Sequence, residues 1–193
     1  METDVYSAAQ TLPLGTFTFV DAIFIVILLL LLLCSALVSG SEVAYFSLTP
    51  GDLEKLKEKG YDKAYNLHKK PNLLLSTILI TNNFVNVAIV IISTYLVNSL
   101  FDFSNNPLLS FIIQVVLVTF VILLFGEIIP KLYANRSQMK MAIFMAGPLT
   151  FLTYLFRPLS MLLIRSTSII SKRMAKKDGL SIDQLSKALE LTQ

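Results

Sequence analysis

The chain has 193 residues, of which 54% are hydrophobic and only 15% charged, with a formal net charge of +3. Soluble domains carry about 25% charged residues, so too few polar groups are present to cover a globule in water. The apolar residues also come in long blocks rather than at strand or helix periodicity, which points to a bilayer as solvent. A single cysteine excludes an intrachain disulfide, and with one histidine no zinc-type Cys/His spacing exists.

Residues 1–16 contain no Lys or Arg. The basic segment of a cleaved signal is therefore missing, and these residues are expected to form an extracytoplasmic tail. The first apolar run extends from Phe17 to Phe46, with a pure core from Ile23 to Leu33; it is long enough to cross with tilt. Cys34 inside it reads as a buried, hydrophobe-like thiol. The following segment, Thr49 to Lys70, opens with Thr-Pro-Gly-Asp, a helix-start signal. Leu53, Leu56, Tyr61 and Leu67 alternate there with lysines, as in a short basic amphipathic helix on the membrane surface, with a plain solvated linker as the alternative. His68, beside Lys69 and Lys70, reads as a solvated loop residue.

The second run, Leu73 to Phe101, is entered through Pro71, and the third, Leu108 to Ile129, stops at Pro130. The fourth, Met139 to Ile164, is interrupted at Gly147–Pro148 and at Arg157–Pro158. Proline fixes φ and removes a backbone donor. The fourth run is therefore expected as two short helices that re-enter or lie at the interface, and a full crossing is the alternative. Arg157 is expected to anchor at headgroups, with no transport role. The tail from Leu180 to Gln193 reads as the start of a further helix.

The Lys and Arg residues set the orientation. Lys55, Lys57, Lys59, Lys63, Lys69 and Lys70 lie between the first two runs, none lies between the second and third, and Lys131, Arg136 and Lys140 follow the third. The distribution fits a multi-pass protein of the cell membrane with its N-terminus outside and its C-terminus cytoplasmic. The expected fold is an all-α membrane protein of three transmembrane helices plus a proline-broken re-entrant or juxtamembrane segment. Domain limits are drawn at 17–177 for the membrane domain and 178–193 for a cytoplasmic helix or linker. The absence of a long luminal segment favours a bacterial or archaeal inner membrane.

Polar residues inside these runs carry the functional signal, because they are expensive in hydrocarbon. Ser35, Ser39 and Glu42 share a helical face, with Gly40 and Ser41 between them, and Gly40 permits close backbone approach. Ser76, Asn83 and Asn86 share a face of the second run, with Asn82 beside them. In the third run Gly126–Glu127 precedes Pro130, which has no N–H to give the Gly126 carbonyl. Hydroxyls, carboxamides, a freed carbonyl and a carboxylate suit a hard ion such as Mg²⁺, Ca²⁺ or Na⁺ and argue against zinc or copper. The candidate ligand set is Ser39, Gly40, Ser41, Asn82, Asn83, Asn86, Gly126 and Glu127. Several polar residues have competing readings. Ser35, Ser76 and Thr119 read better as interhelical contacts, and Gln114 as a packing contact. Glu127 has Lys131 at i+4 as a possible ion-pair partner, and Glu42 has solvation at the headgroups. No HExxH, paired-Asp or spaced Ser/His pattern is present, so an intramembrane enzyme is not expected.

Three stretches carry a family resemblance: Ser39-Gly40-Ser41-Glu42-Val43-Ala44-Tyr45-Phe46-Ser47-Leu48, then Leu75-Ser76-Thr77-Ile78-Leu79-Ile80-Thr81-Asn82-Asn83-Phe84-Val85-Asn86, then Phe125-Gly126-Glu127-Ile128-Ile129-Pro130-Lys131. In order and spacing they resemble the membrane domain of the CNNM/CorC magnesium transporters, also called DUF21, over about Phe17 to Lys177. The resemblance implies a homodimer of three-helix protomers and export of Mg²⁺ coupled to inward Na⁺. It also implies cytoplasmic CBS-pair domains beyond this chain, while nucleic acid is not an expected partner. Thr81 stands where the family often has glycine. The alternative function is a non-transporting membrane anchor or scaffold for the CBS domains or a motility complex.

Overall fold

The computed structural model describes residues 17–101 and 107–165. The 1–16 tail, most of the Asp102–Pro107 loop, the late basic residues Lys172, Arg173, Lys176 and Lys177, and the helix expected from Leu180 lie outside the described residues.

Helix α1 (Phe19–Phe46) starts at a reciprocal cap, in which the Thr18 hydroxyl accepts from the Asp21 N–H and the Asp21 carboxylate accepts from the Thr18 N–H. Two short helices follow, α2 (Pro50–Glu58) and α3 (Asp62–His68), joined through Gly60 at φ +73°. That left-handed backbone is costly for any residue with a Cβ. Thr49 and Asp52 repeat the reciprocal cap at α2, with Pro50 in the first turn. Hydrogen bonds from the Thr49 hydroxyl and N–H hold the Asp52 carboxyl below its ordinary pKa. Next come α4 (Pro71–Leu100) and α5 (Leu108–Arg136), then α6 (Gln138–Leu155) and α7 (Arg157–Arg165).

Helices α1, α4 and α5 have 28, 30 and 29 residues and are long and apolar enough to cross a membrane. At a rise of about 1.5 Å per residue each outreaches a hydrocarbon core of about 30 Å. Leu29, Leu30, Leu33, Val87, Ile91 and Phe120 remain exposed, as lipid-facing positions should. The packed core lies instead toward one end. There Val38 and Tyr45 of α1, Leu56 of α2, Leu67 of α3, Leu74 of α4 and Leu149 of α6 meet.

The fourth run differs from expectation in where it breaks. Pro148 sits inside α6, which continues through it, and the chain bends by 74° only between α6 and α7. Pro148 costs one backbone bond but leaves the helix path intact, since it lies on the exposed side of α6 while the opposite face is held in the core. Ala142, Met145, Ala146 and Leu149 are buried on the core side. At the second site the break falls at Phe156, and Arg157 opens α7 with Pro158 in its first turn, where a missing N–H leaves no helix bond unmade.

The 49–70 segment is no plain linker: it forms the expected short helix, α2, and its apolar side faces the protein. Leu56 and Ala64 are almost fully buried, at 0% and 1% exposure, against α1 and α6. His68 is likewise no free loop residue. It is half-buried, and its Nδ1 lies 3.1 Å from the Tyr45 carbonyl near the end of α1. Tyr45 completes this joint: its ring is fully buried and its hydroxyl donates to the Ala142 carbonyl at 2.8 Å. The Ala142 carbonyl keeps its helical partner without this donor, and a net intramolecular hydrogen bond is worth about 0.5–1.5 kcal/mol. Tyr45→Phe is expected to lower thermal stability in detergent by about that amount while retaining helix content by circular dichroism.

Candidate cation site

The site forms where α1, α4 and α5 touch halfway along their length, and glycine sets the distance of closest approach. A Cβ placed on Gly126 of α5 would sit 3.0 Å from Ser35 Oγ of α1. One on Gly40 of α1 would sit 3.3 Å from the Pro130 carbonyl oxygen and 3.6 Å from Ala134 Cβ, both of α5. Each helix thus presents a glycine to the other, the arrangement by which membrane helices pack closely.

In that gap Ser35 Oγ lies 3.0 Å from Asn82 Oδ1 and 2.9 Å from Asn86 Oδ1, both of α4. The amide nitrogens of the same two asparagines donate to Glu127 Oε1 of α5, at 3.4 and 3.2 Å. Asn82 and Asn86 are one helical turn apart, so their side chains stack on one face. Glu127 lies in a π-helical stretch, Ile122–Ile128, where the Ile129 N–H donates to the Leu124 carbonyl five residues back. Such widened turns recur at functional sites. The sequence reading placed the disturbance of α5 at Pro130; it begins at Ile122, with a further π-helical stretch at Ile112–Leu117.

The proton count of this cluster is short. An ionised carboxylate accepts only, so both amide groups turn their nitrogens to Glu127 and their oxygens to Ser35. The Ser35 hydroxyl owns one hydrogen and can serve one of those oxygens at a time. Two hydroxyls nearby in sequence have no hydrogen-bond partner: Ser39 Oγ, one turn along α1 from Ser35, and Thr81 Oγ1, next to Asn82 on α4. Both residues are buried, at 1% and 3% exposure. Buried polar atoms are nearly always satisfied. A set of oxygens with too few protons is a setting a cation would complete.

Lys131 does not neutralise Glu127. Its Nζ lies 2.9 Å from Glu42 Oε2 of α1, each side chain being more than a third exposed. The i+4 pairing considered for Glu127 is therefore not the one formed, and the same contact gives Glu42 a partner besides solvent.

The candidate ligands divide accordingly. Asn82, Asn86 and Glu127 converge, with Gly126 buried against Ser35. Ser39 lies on the same helix with its hydroxyl unpaired. The Ser41 hydroxyl donates to the Leu37 carbonyl of its own helix at 2.6 Å, and Gly40 serves the packing against α5. Asn83 is exposed on another face of α4, away from the cluster. Among the described residues no three His, Cys, Asp or Glu side chains converge, so a site here depends on neutral oxygens around one carboxylate.

Ser35, read as an interhelical contact, is one. Its partners are the two asparagines that matter; the i, i+4 spacing of Asn82 and Asn86 was the available signal, since it calls for a partner between them. Asp21 was not singled out. It is fully buried at the far end of the bundle, where Ser99 Oγ of α4 donates to it at 2.7 Å. Gln114 bridges α5 to Asn98 of α4 at 2.7 Å, a packing contact as expected.

The fold and site define a multi-pass α-helical membrane protein with a polar cluster between its crossing helices. The chain belongs to the CNNM family: the Cyclin M transmembrane N-terminal domain matches residues 25–193. It is 36% identical over 177 residues to a UPF0053 protein of Haemophilus influenzae, covering 90% of this chain and 38% of that protein. It is 30% identical over 151 residues to the UPF0053 inner membrane protein YfjD of Escherichia coli, covering 77% of this chain and 34% of the relative. With the UPF0053 protein sll1254 of Synechocystis it shares 32% identity over 152 residues, 77% of this chain and 41% of the relative. The chain thus spans well under half the length of these curated relatives.

Gly126→Ala tests the close approach. The added methyl would meet Ser35 Oγ at 3.0 Å, so Ser35 must leave the asparagines or α5 must shift. Overpacking of this kind costs about 1–3 kcal/mol. A fall in thermal stability of that order is expected, and a variant as stable as wild type would show that the helices are not held at glycine distance.

Proposed function

We propose that this chain carries a small hard cation, Mg²⁺ first, across the membrane through the Ser35, Asn82, Asn86 and Glu127 cluster. The observation that carries the reading is the proton shortage: two carboxamide oxygens face one hydroxyl, beside a carboxylate with no cationic partner among the described residues. A divalent ion accepted there would take its charge compensation from Glu127 and its remaining contacts from neutral oxygens and retained waters. Mg²⁺ dehydrates reluctantly and is usually held by one or two carboxylates. A single carboxylate favours binding weak enough for release, as carriage requires. Ser39 and Thr81, buried with free hydroxyls, are the adjacent oxygens that an ion leaving the cluster would meet.

Direction and coupling follow from the family resemblance: efflux of Mg²⁺ against influx of Na⁺ through alternating exposure of the site. The placement of Lys and Arg supports an N-terminus outside and a cytoplasmic C-terminus. Asn83, exposed on α4 beside the exposed Phe84 and Val87, supports a homodimer or a wet cavity on that face, since a carboxamide facing lipid is costly. Cytoplasmic CBS-pair domains are proposed as partners in the full-length protein, whose relatives are more than twice as long as the matched region.

A second reading has an observation in its favour. The polar groups bond one another across three helices, as expected of a non-transporting anchor for a cytoplasmic regulatory domain or motility complex. Ion dependence separates the two. A ligand that binds only the folded state raises stability by RT ln(1 + [L]/Kd). Thermal unfolding of the purified protein is expected to shift upward with Mg²⁺ and to lose that shift in Glu127→Gln. Glu42→Gln, which removes only a half-exposed ion pair worth about 0.2–1 kcal/mol, should keep it. An unchanged Mg²⁺ response in Glu127→Gln, or none in wild type, favours the anchor. Flux into proteoliposomes that is abolished by Glu127→Gln, with folding intact, then establishes carriage.

A further inference from the structure

A cavity of about 310 Å³ lies away from the cation cluster, where α3 and the start of α4 face the end of α6 and the start of α7. Its walls carry three cationic side chains, Lys63, Lys70 and Arg157, and no acidic residue. All three are exposed, and none has an ion-pair partner among the described residues. Like charges gathered without a counter-charge repel one another, so this cavity is built for an anion.

Two further features point the same way. Helix α4, 30 residues long, begins at Pro71 with Lys70 as its cap residue and no side-chain cap, and its first-turn residues Leu73 and Leu74 line the cavity. The unsatisfied N–H groups and the positive dipole end of a long helix favour a phosphate-type anion. Thr153 Oγ1, in the opposite wall, is buried and has no hydrogen-bond partner. Its hydroxyl is an uncommitted neutral donor in that wall.

The position of the cavity selects the anion. It opens where a membrane-crossing helix begins and where the apolar α6 ends. Tyr154, 78% exposed, lines the cavity, and Phe151 and Leu155, within a turn of it on α6, are 66% and 54% exposed. A soluble phosphate has no use for that apolar skirt, whereas a lipid places acyl chains along it. The volume is at the lower end of the ~300–1,000 Å³ typical of small-ligand sites, suitable for a headgroup alone. We propose that this cavity binds the phosphate of an anionic phospholipid, holding α7 to the start of α4 and so fixing the 74° bend. Basic pockets between membrane helices are a recurrent setting for such headgroups.

The test is thermal unfolding of the purified protein in a neutral maltoside detergent. The additions are dioleoyl phosphatidylglycerol, dioleoyl phosphatidylcholine or inorganic phosphate. Phosphatidylglycerol is expected to raise the midpoint, and the other two are not. Each cation removed should raise the phosphatidylglycerol needed for half the shift by about fivefold, giving about 25-fold in Lys70→Gln/Arg157→Gln. Lys57→Gln, on α2 and outside the cavity, should change nothing. Should the double variant fail to fold, Lys63→Gln is read instead, expected to weaken the response where Lys63→Arg retains it. An equal shift with phosphatidylcholine overturns the proposal, as does a shift reproduced by inorganic phosphate. So does a loss in Lys57→Gln matching that of the cavity variants, which would reveal diffuse attraction rather than a site.

Discussion

Everything at the centre of this molecule depends on α1 and α5 approaching at glycine distance. With a side chain at Gly126, Ser35 would be pushed from between Asn82 and Asn86. With one at Gly40, the Pro130 carbonyl and Met141 would have to move. Membrane helices gain little from burying apolar surface against one another, since lipid is equally apolar. Close packing and interhelical hydrogen bonds carry the association instead, and here both act at the same contact.

The cluster that results is unusual in its balance of donors and acceptors. A purely structural polar network in hydrocarbon is expected to pair each acceptor with a proton, because unsatisfied groups are most costly there. Here Lys131, the one cation within an α-helical turn of Glu127, is committed to Glu42. The carboxylate is left with two amide donors, and the asparagine oxygens share a single hydroxyl proton. The π-helical stretch of α5 belongs to the same account, since it sets the face on which Glu127 emerges.

The two ends of the bundle are built differently. At one end a packed core of α2, α3 and α6 clasps the last turns of α1 and the first turns of α4, with Tyr45 as its pin. At the other, α1 is tied to α4 through the buried Asp21 and Ser99, while apolar side chains between the ends are left to lipid. The clasped end is the more densely packed among the described residues, and it carries both the Glu42–Lys131 pair and the basic cavity.

The sequence by itself determined the class of protein, the three apolar segments long enough to cross, and the polar residues that interrupt them. Apolar run length is a local property that a bilayer of fixed thickness reads directly. It also located Asn82, Asn86, Gly126 and Glu127, because polar groups in such runs stand out one by one. Only the tertiary structure decided which of the neighbours join them. Asn83 and Asn86 are three positions apart and look equivalent on a helical projection, yet one faces outward and the other meets Ser35. Lys131 stands at i+4 from Glu127 and still pairs with Glu42. These choices depend on the rotation of each helix against the others. That rotation is set by contacts between residues far apart in the chain, Gly126 with Ser35 and Gly40 with Pro130, which no local pattern encodes.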